Sequence, residues 1–331
     1  MRDPAFWWRP PGLAAGLLAP VAAIYGAVTG ARMARPGHRA TVPVICVGNF
    51  TLGGSGKTPV AIAIAALLQS AGHSPALLSR GYGGSLAGPV TVDPQSHTAA
   101  QVGDEALLLA QAAPTIVARD RVAGTAAAAA SGADVIVMDD GLQNPSLAKT
   151  LSIAVIDGIH GIGNGRVFPA GPLRAPLAAQ LGNSDALLVI GDAAGAHAVI
   201  ASAQTRGLPV FHGRLVPDAA AVGALAGRKV LAFAGIGHPD KFFRTLADAG
   251  LEIGDRLAFA DHHPYTAEEA AGLIMRAEHE GWRLVTTAKD HARLTGNPAL
   301  AALASRAHVV PVRLVVEDDA PWRALVLKVL V

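Results

Sequence analysis

The sequence predicts an α/β fold: a mostly parallel sheet layered between helices, followed by a second, smaller α/β domain and preceded by an apolar helix. Three observations predict it. Short apolar runs alternate with helical stretches along most of the chain, a glycine-rich turn joins the first such run to the first such helix, and the alternation restarts near residue 229. With 331 residues, of which 51% are apolar and 16% charged, there is material for two buried cores, and the composition excludes a disordered or collagen-like chain. The net charge of +2, from 27 basic and 25 acidic residues, gives no reason to expect nucleic acid as a partner. The lone Cys46 cannot form an intrachain disulfide, and no Cys/His cluster has metal spacing, which points to a reducing compartment without structural zinc.

The charge is unevenly placed. Residues 1–40 carry Arg2, Arg9, Arg32, Arg35 and Arg39 against Asp3, leaving 22 basic and 24 acidic residues elsewhere. Between Arg9 and Arg32 nothing is charged, and Leu13, Leu17, Val21, Ile24 and Val28 recur at helical spacing opposite a face of Ala and Gly. Pro20 interrupts the middle, so a helix lying in a membrane interface fits better than a straight span. Trp7 and Trp8 beside Arg9 are residue types that anchor to headgroups. A helix packed on the protein's own body and a cleaved signal peptide are the other readings.

Residues 42–47 read as a buried strand that runs into Thr51-Leu52-Gly53-Gly54-Ser55-Gly56-Lys57-Thr58 and then a helix. Strand, glycine-rich turn ending in Gly-Lys-Thr, helix is the P-loop arrangement: backbone amides wrap phosphates, Lys57 reaches the β- and γ-phosphates, and the Thr58 hydroxyl turns to Mg²⁺. Thr51 stands where the first glycine of that pattern would be. The loop needs an acidic partner on a neighbouring strand, and the apolar run 135–138 ending in Asp139-Asp140 supplies it. The fold is therefore a P-loop NTPase-like α/β/α sandwich. Further strands are expected at 76–79, 115–118, 153–157, 186–190, 210–215, 229–235 and 281–287, and a polar helix at 267–280. Three segments follow: residues 1–40 as a membrane-associating helix, 41–216 as the P-loop domain, and 217–331 as the second domain closing over the site.

Two polar groupings stand out. Asp104 and Glu105 sit where a helix over 106–113 begins, so capping competes with chemistry as their explanation. Asp261-His262-His263-Pro264 offers a histidine beside a carboxylate, or only a turn before a helix cap at Thr266.

Taken together the motifs resemble the tetraacyldisaccharide 4′-kinase family, the lipid A 4′-kinases of Gram-negative bacteria. The carriers are the P-loop with Pro59, Ser79-Arg80-Gly81-Tyr82-Gly83, Val102-Gly103-Asp104-Glu105, Asp120-Arg121-Val122 and Asp139-Asp140-Gly141-Leu142-Gln143. Gly163-Asn164-Gly165, Pro169-Ala170-Gly171-Pro172-Leu173-Arg174, Asp261-His262-His263 and Thr287-Ala288-Lys289-Asp290 complete them. The resemblance implies transfer of the ATP γ-phosphate to the 4′-hydroxyl of an acylated glucosamine disaccharide 1-phosphate, at the cytoplasmic face of the inner membrane, with ATP and Mg²⁺ as cofactors. It implies no obligatory protein partner, and two α/β/α domains joined by a small β linker. By the same resemblance Asp104 receives the hydroxyl proton and His262 orients it. Lys57 steadies the γ-phosphate, Thr58 with Asp139 or Asp140 and Glu105 holds the metal, and Arg174 and Arg80 meet anionic charge. Asn144, Ala175 and Ala288 depart from the family's usual His, Glu and Glu. A membrane-bound switch ATPase, a kinase for a soluble metabolite and a nucleotide-binding module are the rival readings. Switch proteins commonly place a second lysine where Leu52 stands.

Overall fold

The computed structural model describes residues 3–330; Arg2 lies outside the described residues. The first strand, β1 (Val44–Gly48), is buried along its whole length, as a strand covered on both faces must be. Alternation then divides its side chains: Val44 and Cys46 join one core layer with Ile136, Met138 and Leu142, while Ile45 and Val47 join the other with Val60, Ile64 and Leu68.

Beside β1 in the larger sheet are β2 (Pro75–Ser79), β3 (Val90–Thr91), β4 (Thr115–Val117), β5 (Val135–Asp139), β6 (Leu151–Asp157), β7 (Ala186–Ile190) and β8 (Val210–Pro217). The smaller sheet holds β9 (Lys229–Ala234), β10 (Glu252–Ala258), β11 (Arg283–Thr286) and β12 (His308–Val309), in the order β10-β9-β11-β12, all parallel. The last strand, β13 (Val312–Val316), returns to the larger sheet, whose order is β13-β8-β7-β6-β1-β5-β2-β4-β3. Only its two edge pairings, β3 with β4 and β13 with β8, are antiparallel. The chain leaves β1 toward β2 on one side and later builds β6, β7 and β8 on the other. The crevice at the C-terminal end of β1 is therefore a topological switch point, where open α/β sheets bind ligands.

The sequence assigned all of 217–331 to the second domain, and here the structure differs. β13 pairs with β8, and the helix Asp319–Leu327 packs Trp322 edge-on against Phe211 with ring centroids 5.4 Å apart. Leu314 and Val316 cover core that β8 would otherwise leave at an open edge. Both chain crossings between the two units thus run through the antiparallel pair β8–β13.

The N-terminal helix spans Leu13–Met33 without a break at Pro20. Its small face turns inward: Ala15, Ala22 and Gly26 are buried, and a methyl on Gly26 would lie 3.5 Å from Pro176. The apolar stripe faces outward, with Leu13 at 89% and Leu17 at 82% exposure, and Val21, Ile24 and Val28 over half exposed. The tryptophans do not accompany it. Trp7 is buried, donates its indole N–H to the Pro169 carbonyl at 3.0 Å and meets Phe168 edge-on, while Trp8 leans on His160 and His238. They tie the segment to the body of the protein instead of presenting indoles to headgroups. Indole burial with a satisfied N–H outweighs an exposed ring in water.

Candidate active site

The phosphate loop is shaped before any ligand arrives. The buried amide of Asn49 donates to the carbonyls of Thr51 and Gly53, at 2.8 and 3.4 Å. Gly53 and Gly56 take φ of 97° and 90°, the left-handed region that favours glycine, and the helix Lys57–Ser70 starts directly after. Thr51 replaces a glycine without strain because its backbone is pinned as a bridge to Leu173, and its carbonyl accepts from Arg174 Nε at 2.9 Å. Leu52, Ser55 and Gly54 complete the loop, Leu52 through its amide on Pro172.

Lys57 is buried, which pushes its pKa down, and its ammonium lies 3.9 Å from Asp140 Oδ2. The Thr58 hydroxyl donates to Asp139 Oδ2 at 3.2 Å, while Asp139 Oδ1 is buried with no partner. Burial, then the charge of Glu105, push the Asp139 carboxyl up to about 7. Asp140 is different: burial would raise it, but Lys57 and Arg174 hold it down to about 2. Arg174 Nη1 donates to both its oxygens, at 2.9 and 3.1 Å. The adjacent carboxylates, interchangeable in the sequence, are thus one with a free buried oxygen and one fully paired. Asp140 also has φ of 51°, and a non-glycine residue held in that region is strained and concentrates at functional sites.

Asp104 approaches from the other side. Gly103, at φ of 87°, has no room for a side chain, since a methyl would lie 2.5 Å from the Tyr82 carbonyl oxygen. The chain therefore turns sharply and places Asp104 at the start of the helix Asp104–Ala110, 3% exposed. His262 Nδ1, from the second unit and 158 positions away, stands 3.1 Å from Asp104 Oδ2. His262 is the second strained residue, with φ of 54°. Burial would raise the Asp104 pKa, but the His262 hydrogen bond and the charges of Lys289 and Arg293 bring it below the ordinary carboxylate value. The His262 imidazole is raised in turn, chiefly by its hydrogen bond to Asp104.

Glu105, grouped with the metal residues in the sequence, pairs with Lys289 across the unit boundary. That ammonium holds one of its carboxylate oxygens, Oε1. Arg293 Nε reaches Asp104 Oδ2 at 3.3 Å, and buried Asp290 orients Arg293 while accepting from the Gly235 amide and the Tyr265 hydroxyl. Sequence reading gave Lys289 and Asp290 no role and passed over Arg293. Lys289 and Asp290 belong to one of the motifs that carry the resemblance, and Arg293 shares their helical face on Ala288–Leu294.

Arg80 is exposed at the end of β2, outside this network. Arg121 is the reverse, at 2% exposure with Nε and Nη1 buried and unpartnered. Its neighbours in the field are Cys46, Asp139, Asp140 and Arg80. A buried guanidinium without partners is costly unless an anion completes it. Of the departures, Asn144 caps a turn through the Ser146 amide at 2.8 Å, and Ala175 is wholly buried. Gln143 ties the Asn49 carbonyl to Gln180, both at 2.7 Å.

A family model described as Tetraacyldisaccharide-1-P 4′-kinase, LpxK, matches residues 14–331. The chain is 62% identical over 320 residues to the tetraacyldisaccharide 4′-kinase of Methylobacterium sp. (strain 4-46), covering 96% of this chain and 94% of that protein. It is 53% identical over 327 residues to that of Nitrobacter winogradskyi, covering 99% and 97%. A crystal structure of LpxK from Aquifex aeolicus in complex with ATP superposes with a TM-score of 0.73 at 24% identity, covering 96% of this chain and all of that one. A phosphate loop, a paired and an unpaired aspartate beside it, and these full-length similarities agree: the chain belongs to the tetraacyldisaccharide 4′-kinase family.

Proposed function

We propose that the chain transfers the γ-phosphate of ATP to the 4′-hydroxyl of a tetraacyldisaccharide 1-phosphate in lipid A biosynthesis, with Asp104 taking the hydroxyl proton. The observation that carries this is the Asp104–His262 pair, formed between the unit that bears the P-loop and the second unit. The acceptor oxygen attacks the γ-phosphorus, the bond to the β,γ-bridging oxygen breaks, and the proton passes to an Asp104 oxygen as ADP leaves. Little covalent work falls to the protein, so positioning and charge dominate. Asp104 is ionised at neutral pH, as an acceptor of protons must be, and His262 with Arg293 fixes its orientation.

Lys57 steadies the γ-phosphate. Arg174, anchored by Asp140 and the Thr51 carbonyl, and Arg121, with its free N–H groups, supply positive charge for the phosphoryl oxygens. Residues Thr51 to Thr58 cradle the polyphosphate. The donor set suits a divalent cation: among the described residues Asp139 Oδ1 is buried and unpartnered, its carboxyl is raised by burial and by the charge of Glu105, and the Thr58 hydroxyl is beside it. Thr58 and Asp139 would hold Mg²⁺, which when bound offsets the charge of the β- and γ-phosphates.

The outward stripe of the N-terminal helix favours a peripheral or monotopic seat on the cytoplasmic leaflet, where ATP is available. Each fully exposed side chain of this kind forgoes roughly 1.5–3 kcal/mol in water and the half-exposed ones proportionately less, and an interfacial bilayer position recovers part of it. The test is transfer of labelled γ-phosphate from Mg-ATP to detergent-dispersed tetraacyldisaccharide 1-phosphate, with Lys57→Ala and no-acceptor controls. A labelled 1,4′-bisphosphorylated lipid dependent on Lys57 is expected. Label found only in inorganic phosphate, with or without acceptor, would mean a switch ATPase.

A further inference from the structure

The sequence shows no Cys/His cluster at metal spacing, but folding assembles a carboxylate and two histidines from separate segments. Among the described residues Asp157, His160 and His238 bring one carboxylate oxygen and one ring nitrogen from each histidine within 4.8 Å of one another. Asp157 and His160 belong to the P-loop unit, and His238 to the second. Each is placed by backbone. Asp157 ends β6, and its Oδ1 accepts from the amides of Ile159 and His160 at 3.0 and 3.2 Å, which fixes the turn that carries His160. Gly161 closes that turn through its amide on the Asp157 carbonyl, at 2.7 Å. His238 stands at the N-cap of the helix Pro239–Asp248, yet its side chain makes no capping hydrogen bond.

The donors are not spent elsewhere. His160 Nδ1 lies 3.3 Å from Asp157 Oδ2 but makes no hydrogen bond, and it is buried without a partner among the described residues. The two imidazoles stack at 4.5 Å with 17° between their planes, so their edges run side by side. Burial, and after it the charge of His160, lowers the His238 pKa, and a neutral ring keeps a lone pair for a metal. Trp8 stands edge-on to both rings, at 5.0 and 6.1 Å, and adds an apolar wall. The histidines open on a cleft of about 510 Å³, lined also by Asp3, Asp240 and Asp261 against Lys241 and Arg244, so the local charge favours a cation.

We propose that Asp157, His160 and His238 form a binding site for a transition-metal ion of the zinc class, which clips the second unit to the P-loop unit. Two imidazole nitrogens with one carboxylate oxygen suit Zn²⁺ and disfavour Mg²⁺, which takes oxygen ligands. Tetrahedral Zn²⁺, with donors about 2.0–2.1 Å away, sets neighbouring donors roughly 3.4 Å apart, so the ion would draw each of the three in by roughly 1 Å or less. Three protein ligands leave the fourth position to water from the cleft. The Lys241 ammonium, paired with Asp157 Oδ2, is the competitor for that oxygen. It comes from the same helix as His238, so exchanging it for a metal keeps the connection between the units and replaces one ion pair with three coordinate bonds. The site shares no residue with the Thr58 and Asp139 donors and does not depend on the phosphoryl-transfer reading.

The test titrates the untagged full chain with Zn²⁺ in excess Mg²⁺, by calorimetry and by melting temperature, and with Co²⁺ for its visible spectrum. One equivalent should bind, the melting temperature should rise, and Co²⁺ should show the intense visible bands of a tetrahedral site. His160→Ala and His238→Ala should each weaken the affinity roughly tenfold or more, with His160→Asn and His238→Asn replacing either variant that lacks a melting transition of its own. Lys241→Gln should tighten binding several-fold by removing the competitor. Unchanged affinity in Lys241→Gln would take Asp157 out of the ligand set and overturn the three-ligand site. Asp139→Asn should leave Zn²⁺ binding as it was, and its loss there would put the ion on the phosphate loop instead. Several weak equivalents, none at all, or an affinity indifferent to both histidines would also overturn the proposal.

Discussion

Asp139 and Asp140 show how much a single position decides. Each follows the same apolar strand, yet one oxygen of Asp139 has no partner while both oxygens of Asp140 are held by Arg174. Asp139, raised to about 7 by burial, must lose its proton to bind a cation. Apparent affinity for Mg²⁺ or Mn²⁺ should therefore strengthen as pH rises through neutrality, and calorimetric titration on either side of it checks the sign. A pH-independent affinity would remove Asp139 as ligand. Asp104→Ala should lower kcat by roughly 10²–10⁴ with the ATP KM little changed, as loss of a base does. Arg121 gives a stability prediction of unusual sign. An uncompensated buried charge is costly to the folded state, so Arg121→Met should keep or raise the melting temperature of the free protein while turnover falls. A clear loss of stability would mean that the guanidinium has a structural partner.

At the scale of elements, the N-terminal helix separates two tasks by face. Ala15, Ala22 and Gly26 dock on the body, and the Leu and Val stripe is left outward. Leu17→Asp with Ile24→Asp should reduce sedimentation with anionic liposomes without lowering thermal stability, since neither side chain is part of a core. Unchanged sedimentation would remove the stripe from membrane contact. The stripe was legible from its spacing, as was the helix Ala267–Glu280, where Thr266 and Glu269 form a capping box. The destination of β13 was not legible. The run Val312–Val316 was not singled out as a strand, and nothing local distinguishes the open edge beside β8 from the smaller sheet. The tryptophan pair misled for a similar reason. An indole near arginines looks the same whether its N–H meets a headgroup or, as in Trp7, the Pro169 carbonyl.

At the scale of the molecule, the two units meet through charged pairs: His262 and Arg293 on Asp104, Lys289 on Glu105, and Lys241 on Asp157. The His262 contact sets a pH window. Its pKa is raised by Asp104, with Asp261 adding to the rise and Lys289 opposing it, so this part of the docking is complete below the ordinary histidine value and lost as pH rises through the raised one. On the acid side it persists until pH falls through the depressed pKa of Asp104. A distance probe spanning the units should report loosening on alkalinisation in the wild type and none in His262→Gln. Equal behaviour of the two would separate His262 from closure.

The order of strand, glycine-rich turn and helix is written in consecutive residues, so the sequence alone determined the P-loop, its acidic strand and the α/β class, and the motifs together determined the family. Those features depend on local backbone preference and periodicity. What only the tertiary structure decided are the meetings of distant groups: Asp104 with His262 and Arg293, Arg174 with Asp140, Arg121 buried without a hydrogen-bond partner among the described residues, and Asp3 with Asp261 across a cleft. Some depend on where two units and a terminal segment come to rest and the others on how the loops of one unit pack, and burial then shifts the charge of the groups they enclose.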